Sequence, residues 1–159
     1  MEKKLKQYKC SFRQRDKHLQ LGYFQLHFPI DRSIQILCWD LEDHLEETKQ
    51  HKERLKEICD DLDIDPSGET CKAMKGLIKE AEDFLDEVKD DDVKNAGMIA
   101  EAQRVEHYEI SGYGTAVRYA KELGHDAIAK KLQKTLDEEY NADKKLNDLA
   151  EKRLNDKAK

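Results

Sequence analysis

The sequence predicts an all-α fold, an antiparallel bundle of long helices. Charged residues make up 40% of the chain, yet Leu, Ile, Val and Ala recur at three- and four-residue steps, the pattern of solvated helices around a core rather than of a disordered chain. Turn signals fall between these periodic stretches, at Asp63–Gly68, Asp90–Asp92 and Gly124. At 159 residues the chain suits one domain with a sizeable core.

The first firm helix is expected over about 40–62, with Leu41, Leu45, Thr48, Leu55, Ile58, Cys59 and Leu62 on one stripe. Pro66 and Gly68 then break the pattern. A second, shorter amphipathic helix follows over about 69–89, carrying Met74, Leu77, Ile78, Ala81, Phe84, Leu85 and Val88 on one face. Asp90 to Asp92 supply a cap for a third helix to Leu123, which Gly124 ends. The fourth starts at Asp126 and runs to near Leu154 on a stripe of Ile128, Leu132, Thr135, Ala142, Leu146 and Leu149. Gly112 and Gly114 sit inside the third helix, where they allow a close helix approach or a local bend. Residues 156–159 form a charged tail.

Residues 1–39 break this regularity. Leu19, Leu21, Tyr23, Leu26, Phe28 and Ile30 follow a two-residue period closed by Pro29, a strand-like signature. The segment holds 6 of the 11 aromatic residues and a net charge of +5, against −11 for the remainder. The acidic body repels nucleic acid and suits cations. No run of about 18 apolar residues and no secretion signal is present, so no membrane partner and a cytoplasmic location are expected. Cys10, Cys38, Cys59 and Cys71 show no C-x-x-C pair and read as free thiols.

The stripes also carry acids. On the third helix Glu106 and Glu109 lie in line with Ile99, Ala102, Tyr113, Ala116 and Ala120. On the fourth, Glu139 lies in the stripe and Glu138 at its border. His44, Thr48, His51 and Leu55 share the inward line of the first helix, with Glu47 at its edge. An ionised carboxylate in an apolar bundle must be paired, hydrogen-bonded or bound to a cation. The candidate metal ligands are therefore Glu47, Glu106, Glu109, Glu138, Glu139, His44 and His51. Carboxylate and imidazole donors suit iron, manganese or zinc. A purely structural reading has Glu106 and Glu109 satisfied by Arg104, Arg118, tyrosine hydroxyls or water. Tyr113 and His107 then serve packing.

The segments DHLEETKQHKERL (43–55), CKAMKGLIKEAE (71–82), EAQRVEHYEISGYGT (101–115) and LGHDAIAKKLQKTLDEEYNADKKLNDLAEK (123–152) resemble the YciE/YciF family of ferritin-like bacterial stress proteins. The similarity covers about residues 40–155 and is most specific at QRVEHYEI. It implies a ferritin-like antiparallel four-helix bundle with an additional crossover helix, a di-iron site, a homodimer and a role in stress responses. By the same resemblance Glu106 and Glu109 belong to a V-E-H-Y-E motif, His44 and Glu47 to H-L-E-E-T, and Glu138 with Glu139 to the acidic pair of the last helix. The family's first-helix glutamate has no counterpart here: the usual separation lands near His18, and Glu2 is the one glutamate in residues 1–39.

Three functions compete on these grounds. The first is a di-metal protein, possible in the role of a ferroxidase-like oxidoreductase acting on Fe(II) with O2 or peroxide. The second is a non-catalytic structural or stress-response bundle with an impaired or absent metal site. The third is a helical adaptor using an exposed face.

Overall fold

The computed structural model describes residues 32–67 and 70–151, with side chains from Glu42 onward. Four helices follow one another: α1 (Arg32–Asp61), α2 (Lys72–Glu87), α3 (Asp91–Glu122) and α4 (Asp126–Leu149). No strand occurs among the described residues. The two-residue period expected before Ile30, His18 and the tail 156–159 all lie outside them. None of the described helices is long and apolar enough to cross a membrane.

Local chemistry fixes the ends. Asp90 caps α3, its carboxylate accepting from Val93 N at 2.9 Å, with Asp91 and Asp92 in the first turn where the helix dipole favours acids. At the other end Gly124 takes φ +75°, and His125 N and Gly124 N donate back to Ala120 O and Lys121 O at 2.9 and 3.1 Å. This double bond pattern uses the left-handed conformation that glycine tolerates and reverses the chain directly into α4. The α2 cap is less usual: the buried Cys71 Sγ accepts from Met74 N at 3.4 Å.

Two starts differ from expectation, those of α1 and α2, and α2 begins at Lys72 rather than about 69. Helix α1 begins at Arg32 rather than near 40, which moves the start of the bundle into the segment 1–39. Ile34, Cys38, Leu41 and Leu45 keep four- and three-residue steps, so the helical pattern begins directly after the two-residue pattern ends at Ile30. Helix α4 is regular to Leu149, and Ala150 and Glu151 continue as a wider π turn; the end expected near Leu154 lies outside the described residues.

Helices α3 and α4 form an antiparallel hairpin packed along most of its length, with α2 against α3 and α1 against α4. One apolar cluster joins Ile58 of α1, Tyr113, Ala116, Val117 and Ala120 of α3, and Ile128, Ala129, Leu132 and Leu136 of α4. A smaller one joins Ile99 and Leu146, with Ala102 and Leu149 beside them. Between these clusters along α3 and α4 lie Glu106, Glu109 and Glu139. The polar layer is thus closed by hydrocarbon on both sides.

Helix α3 makes a close helix approach at Gly97. A Cβ there would stand 1.9 Å from Phe84 Cζ of α2, whereas one on Gly114 would meet nothing within 4 Å.

Candidate metal centre

Helical spacing delivers the functional side chains to one level. Steps of three on α3 put Glu106 and Glu109 on the buried face with Ile99 and Tyr113, and Glu139 takes the corresponding place on α4 between Leu136 and Ala142. On α1, His44, Thr48 and His51 follow at steps of four and three. Glu106 is 4% exposed, Glu109 5%, and Glu139 and His51 are fully buried.

His44 is the hub. Its Nε2 lies 3.1 Å from Glu106 Oε1 and 3.8 Å from Glu139 Oε2. His44, Glu106 and Glu139 each offer a ligand atom, and all three atoms fall within 4.8 Å of one another. Thr48 Oγ1 donates to the His44 carbonyl at 2.9 Å and sits 3.5 Å from Nε2. Burial works to lower the His44 pKa, but the hydrogen bond to Glu106 and the charges of Glu106, Glu139 and Glu109 outweigh it and push it up to about 9. Glu106 Oε2 is buried and makes no hydrogen bond among the described residues.

His51 forms a second junction. Its Nδ1 lies 3.2 Å from Glu139 Oε1, and its Nε2 donates to Glu138 Oε2 at 2.9 Å. The Tyr113 ring meets the His51 ring edge-on, centroids 6.3 Å apart. Glu138 is at the border of the stripe, as the helical wheel places it, and is held there by Arg54 Nη1 at 2.8 Å. Burial alone would raise the Glu138 carboxyl; the hydrogen bond and charge of Arg54, joined by His51, hold it below the usual carboxylate range.

Of the seven candidates, His44, Glu106 and Glu139 come together as one donor set, with Glu109 close enough to act on His44 through its charge. His51 touches Glu139. Glu138 faces Arg54 instead of the trio, and Glu47 is half-buried with Oε2 3.6 Å from His44 Nδ1. The arginines offered as neutralising partners pair elsewhere: the exposed Arg104 with Glu101 and Glu80, and the exposed Arg118 with Glu122. Arg54 is the arginine that reaches the polar layer, donating to both Glu138 and Thr135. Its place three residues after the inward His51 was the available signal. His107 is exposed and pairs with Asp143 at 3.1 Å. Cys59 and Cys71 are buried and form no disulfide among the described residues, and Cys71 Sγ lies 3.0 Å from Tyr108 Oη.

Comparison with known proteins gives the chain its relatives. The model of a domain of unknown function, DUF892, matches residues 32–159, starting where α1 starts. The chain is 42% identical over 116 residues to Protein YciF of Escherichia coli K12, covering 72% of this chain and 70% of that protein. Among solved structures, YcfI from Rhodopseudomonas palustris, provisionally described as a structural protein, superposes with a TM-score of 0.76 at 42% identity, covering 86% of this chain and 83% of that one. The E. coli stress protein YciF superposes at 0.73 with 34% identity, over 97% and 87% of the two chains. Matched by the family model over four helices, and similar to YciF in both sequence and fold, the chain belongs to the YciE/YciF family.

Proposed function

We propose that the chain is a ferritin-like metal-binding protein of the di-metal carboxylate kind, acting in a bacterial stress response. The observation that carries this reading is the donor set of the half-buried His44 with the buried Glu106 and Glu139. Counted as carboxylates, Glu106, Glu109 and Glu139 outnumber the two imidazoles beside them even if both carry a proton. That leaves negative charge in a layer closed by Ile99 and Leu146 on one side and Leu136 and Tyr113 on the other. A divalent cation removes the excess, and the buried Glu106 Oε2 is an oxygen with a coordination position to give.

His44, Glu106 and Glu139 would hold the metal, with Glu109 and His51 adjoining and the half-buried Glu47 on the solvent side of His44. Iron suits this donor set, and manganese and zinc share it. When bound, paired iron supplies the redox chemistry by which Fe(II) is oxidised with O2 or peroxide. The chain's own residues bind, orient and exclude water: Thr48 fixes the turn that carries His44, and the two apolar clusters keep the layer dry. A cytoplasmic homodimer belongs to the same proposal, and sedimentation equilibrium tests the dimer.

Metal analysis of the purified protein combined with Fe(II)-dependent oxygen uptake tests the reading. Stoichiometric iron and uptake that Glu106→Ala abolishes are the expected results. If Glu106→Ala folds and takes up iron as well as the parent, the ligand assignment is wrong.

A second reading, a non-catalytic structural bundle, is favoured by one observation: the His44 imidazole, with its raised pKa, already supplies one cation to Glu106. The description of YcfI points the same way. A melting temperature unmoved by Fe(II) or Mn(II) supports this second reading, because a ligand of the folded state must raise it.

A further inference from the structure

The α1–α4 side of the polar layer contains an ordered chain of contacts that the donor set does not use. Glu138 Oε2 receives Arg54 Nη1 at 2.8 Å and His51 Nε2 at 2.9 Å, while Lys134 Nζ lies 3.7 Å from Oε1. Arg54 is itself anchored by donation to Thr135 Oγ1, and Thr135 is buried. A carboxylate gripped by a guanidinium only accepts, so the nitrogen of His51 that faces it carries the ring proton.

In the neutral ring Nδ1 is then the nitrogen that keeps a lone pair. His51 Nδ1 is fully buried and lies 3.2 Å from Glu139 Oε1, outside hydrogen-bonding geometry. In the neutral ring that lone pair faces a carboxylate oxygen, a contact relieved by a second ring proton or by a cation between the two. The Tyr113 ring packs edge-on against the imidazole.

We propose that Arg54 and Glu138 are positioning residues that hold His51 in its Nε2–H tautomer and so present Nδ1 as a further ligand to the metal of the buried layer. Glu138 is then not a ligand. The assignment rests on the metal-binding reading and divides the adjacent acids Glu138 and Glu139 into one that orients and one that binds. An outer carboxylate that fixes the tautomer and the aim of a ligating imidazole strengthens that ligand.

The test uses the full chain stripped of metal and titrated with Co(II) alone, for the parent, Glu138→Ala, Arg54→Ala and Arg54→Lys. Long-range proton–nitrogen NMR of the His51 ring in the metal-free proteins reports the tautomer, which a merely structural contact would leave unchanged. The parent is expected to show the Nε2–H form. Glu138→Ala should lose that preference and bind Co(II) roughly 10- to 100-fold more weakly. Arg54→Lys, which keeps a cation on Glu138, should fall between the parent and Arg54→Ala. Should Glu138→Ala not fold, the two Arg54 variants carry the comparison. A parent that takes up no Co(II) overturns the metal reading and the ligation by His51 together. A parent that binds, alongside folded variants with undiminished affinity and an unchanged tautomer, leaves the metal reading standing and overturns the positioning role.

Discussion

Glu106 Oε1 on α3 lies 3.1 Å from His44 Nε2 on α1, and through this contact a buried acid sets the charge of the imidazole at the centre of the layer. In the folded protein the His44 pKa is about 9, above its ordinary 6.5. A raised histidine pKa contributes stability that is fully present below the unfolded value and is lost as pH rises through the folded one. The metal-free protein should therefore lose about 3 kcal/mol of stability between pH 6.5 and pH 9. Thermal melts across that range check it. Glu106→Gln should flatten the slope, and an equally steep profile in that variant would show that another group is responsible.

The same proton competes with metal. At neutral pH a cation that takes His44 Nε2 must displace the proton, so apparent affinity should rise about tenfold per pH unit from pH 7 towards pH 9 and then level off. Calorimetric titration with Mn(II) in two buffers of different ionisation enthalpy measures the released proton directly. Binding without proton release removes His44 from the ligand set.

Glu139 is fully buried beside Glu106 and both histidines, a position that favours metal binding at the expense of the empty fold. With three buried carboxylates against two imidazoles, taking away one negative charge while keeping the side-chain shape relieves repulsion among the acids of the empty layer. Glu139→Gln is expected to raise the melting temperature of the metal-free protein while reducing the rise produced by added Mn(II). The two effects have opposite signs, so differential scanning calorimetry with and without the ion separates them. A variant less stable in both conditions would mean that Glu139 serves the fold through its contacts with His51 and His44 alone.

Much of the layer was legible in the sequence because a helix turns a fixed angle per residue. Once Ile99, Ala102, Tyr113 and Ala116 define the inward stripe of α3, Glu106 and Glu109 must share it, and Glu139 follows from Leu146 and Thr135 on α4 in the same way. The wheel does not say which helix lies opposite which, and the meeting of His44 with Glu106 and Glu139 depends on that. Arg54 escaped for a related reason. A long side chain at the stripe border reaches either solvent or the layer, and only the position of Glu138 and Thr135 on the neighbouring helix decides between them. Cys71 hid the start of α2 because a thiol is an uncommon cap, and the helix begins at Lys72 rather than about 69.

Asp90 gives a simpler check on the frame that carries the acids. Its carboxylate satisfies Val93 N at 2.9 Å at the exposed start of α3. Asp90→Ala should cost about 1 kcal/mol and Asp90→Asn much less, since an amide oxygen caps nearly as well. Urea unfolding with a common slope measures both. Equal losses would assign the effect to the charge near the helix dipole instead of to the cap.

Gly97 and Gly114 provide the sharpest contrast, because the intrinsic preference is the same at both and the surroundings differ. Glycine inside a helix is less favourable than alanine by up to about 1 kcal/mol, so Gly→Ala stabilises wherever the methyl group has room. At Gly114 an added Cβ meets nothing within 4 Å, and Gly114→Ala should gain roughly 0.5–1 kcal/mol. At Gly97 the same atom would stand 1.9 Å from Cζ and 2.2 Å from Cε1 of Phe84, so the ring or the whole of α2 must move. Overpacking of this kind costs about 1–3 kcal/mol and exceeds the helical gain, which makes Gly97→Ala destabilising. Shortening the opposing side chain separates clash from propensity: in a Phe84→Leu background, Gly97→Ala should recover much of its loss. If Gly97→Ala instead stabilises the parent chain, α2 does not rest on α3 through the Phe84 ring, and the close approach of these two helices at that point is refuted.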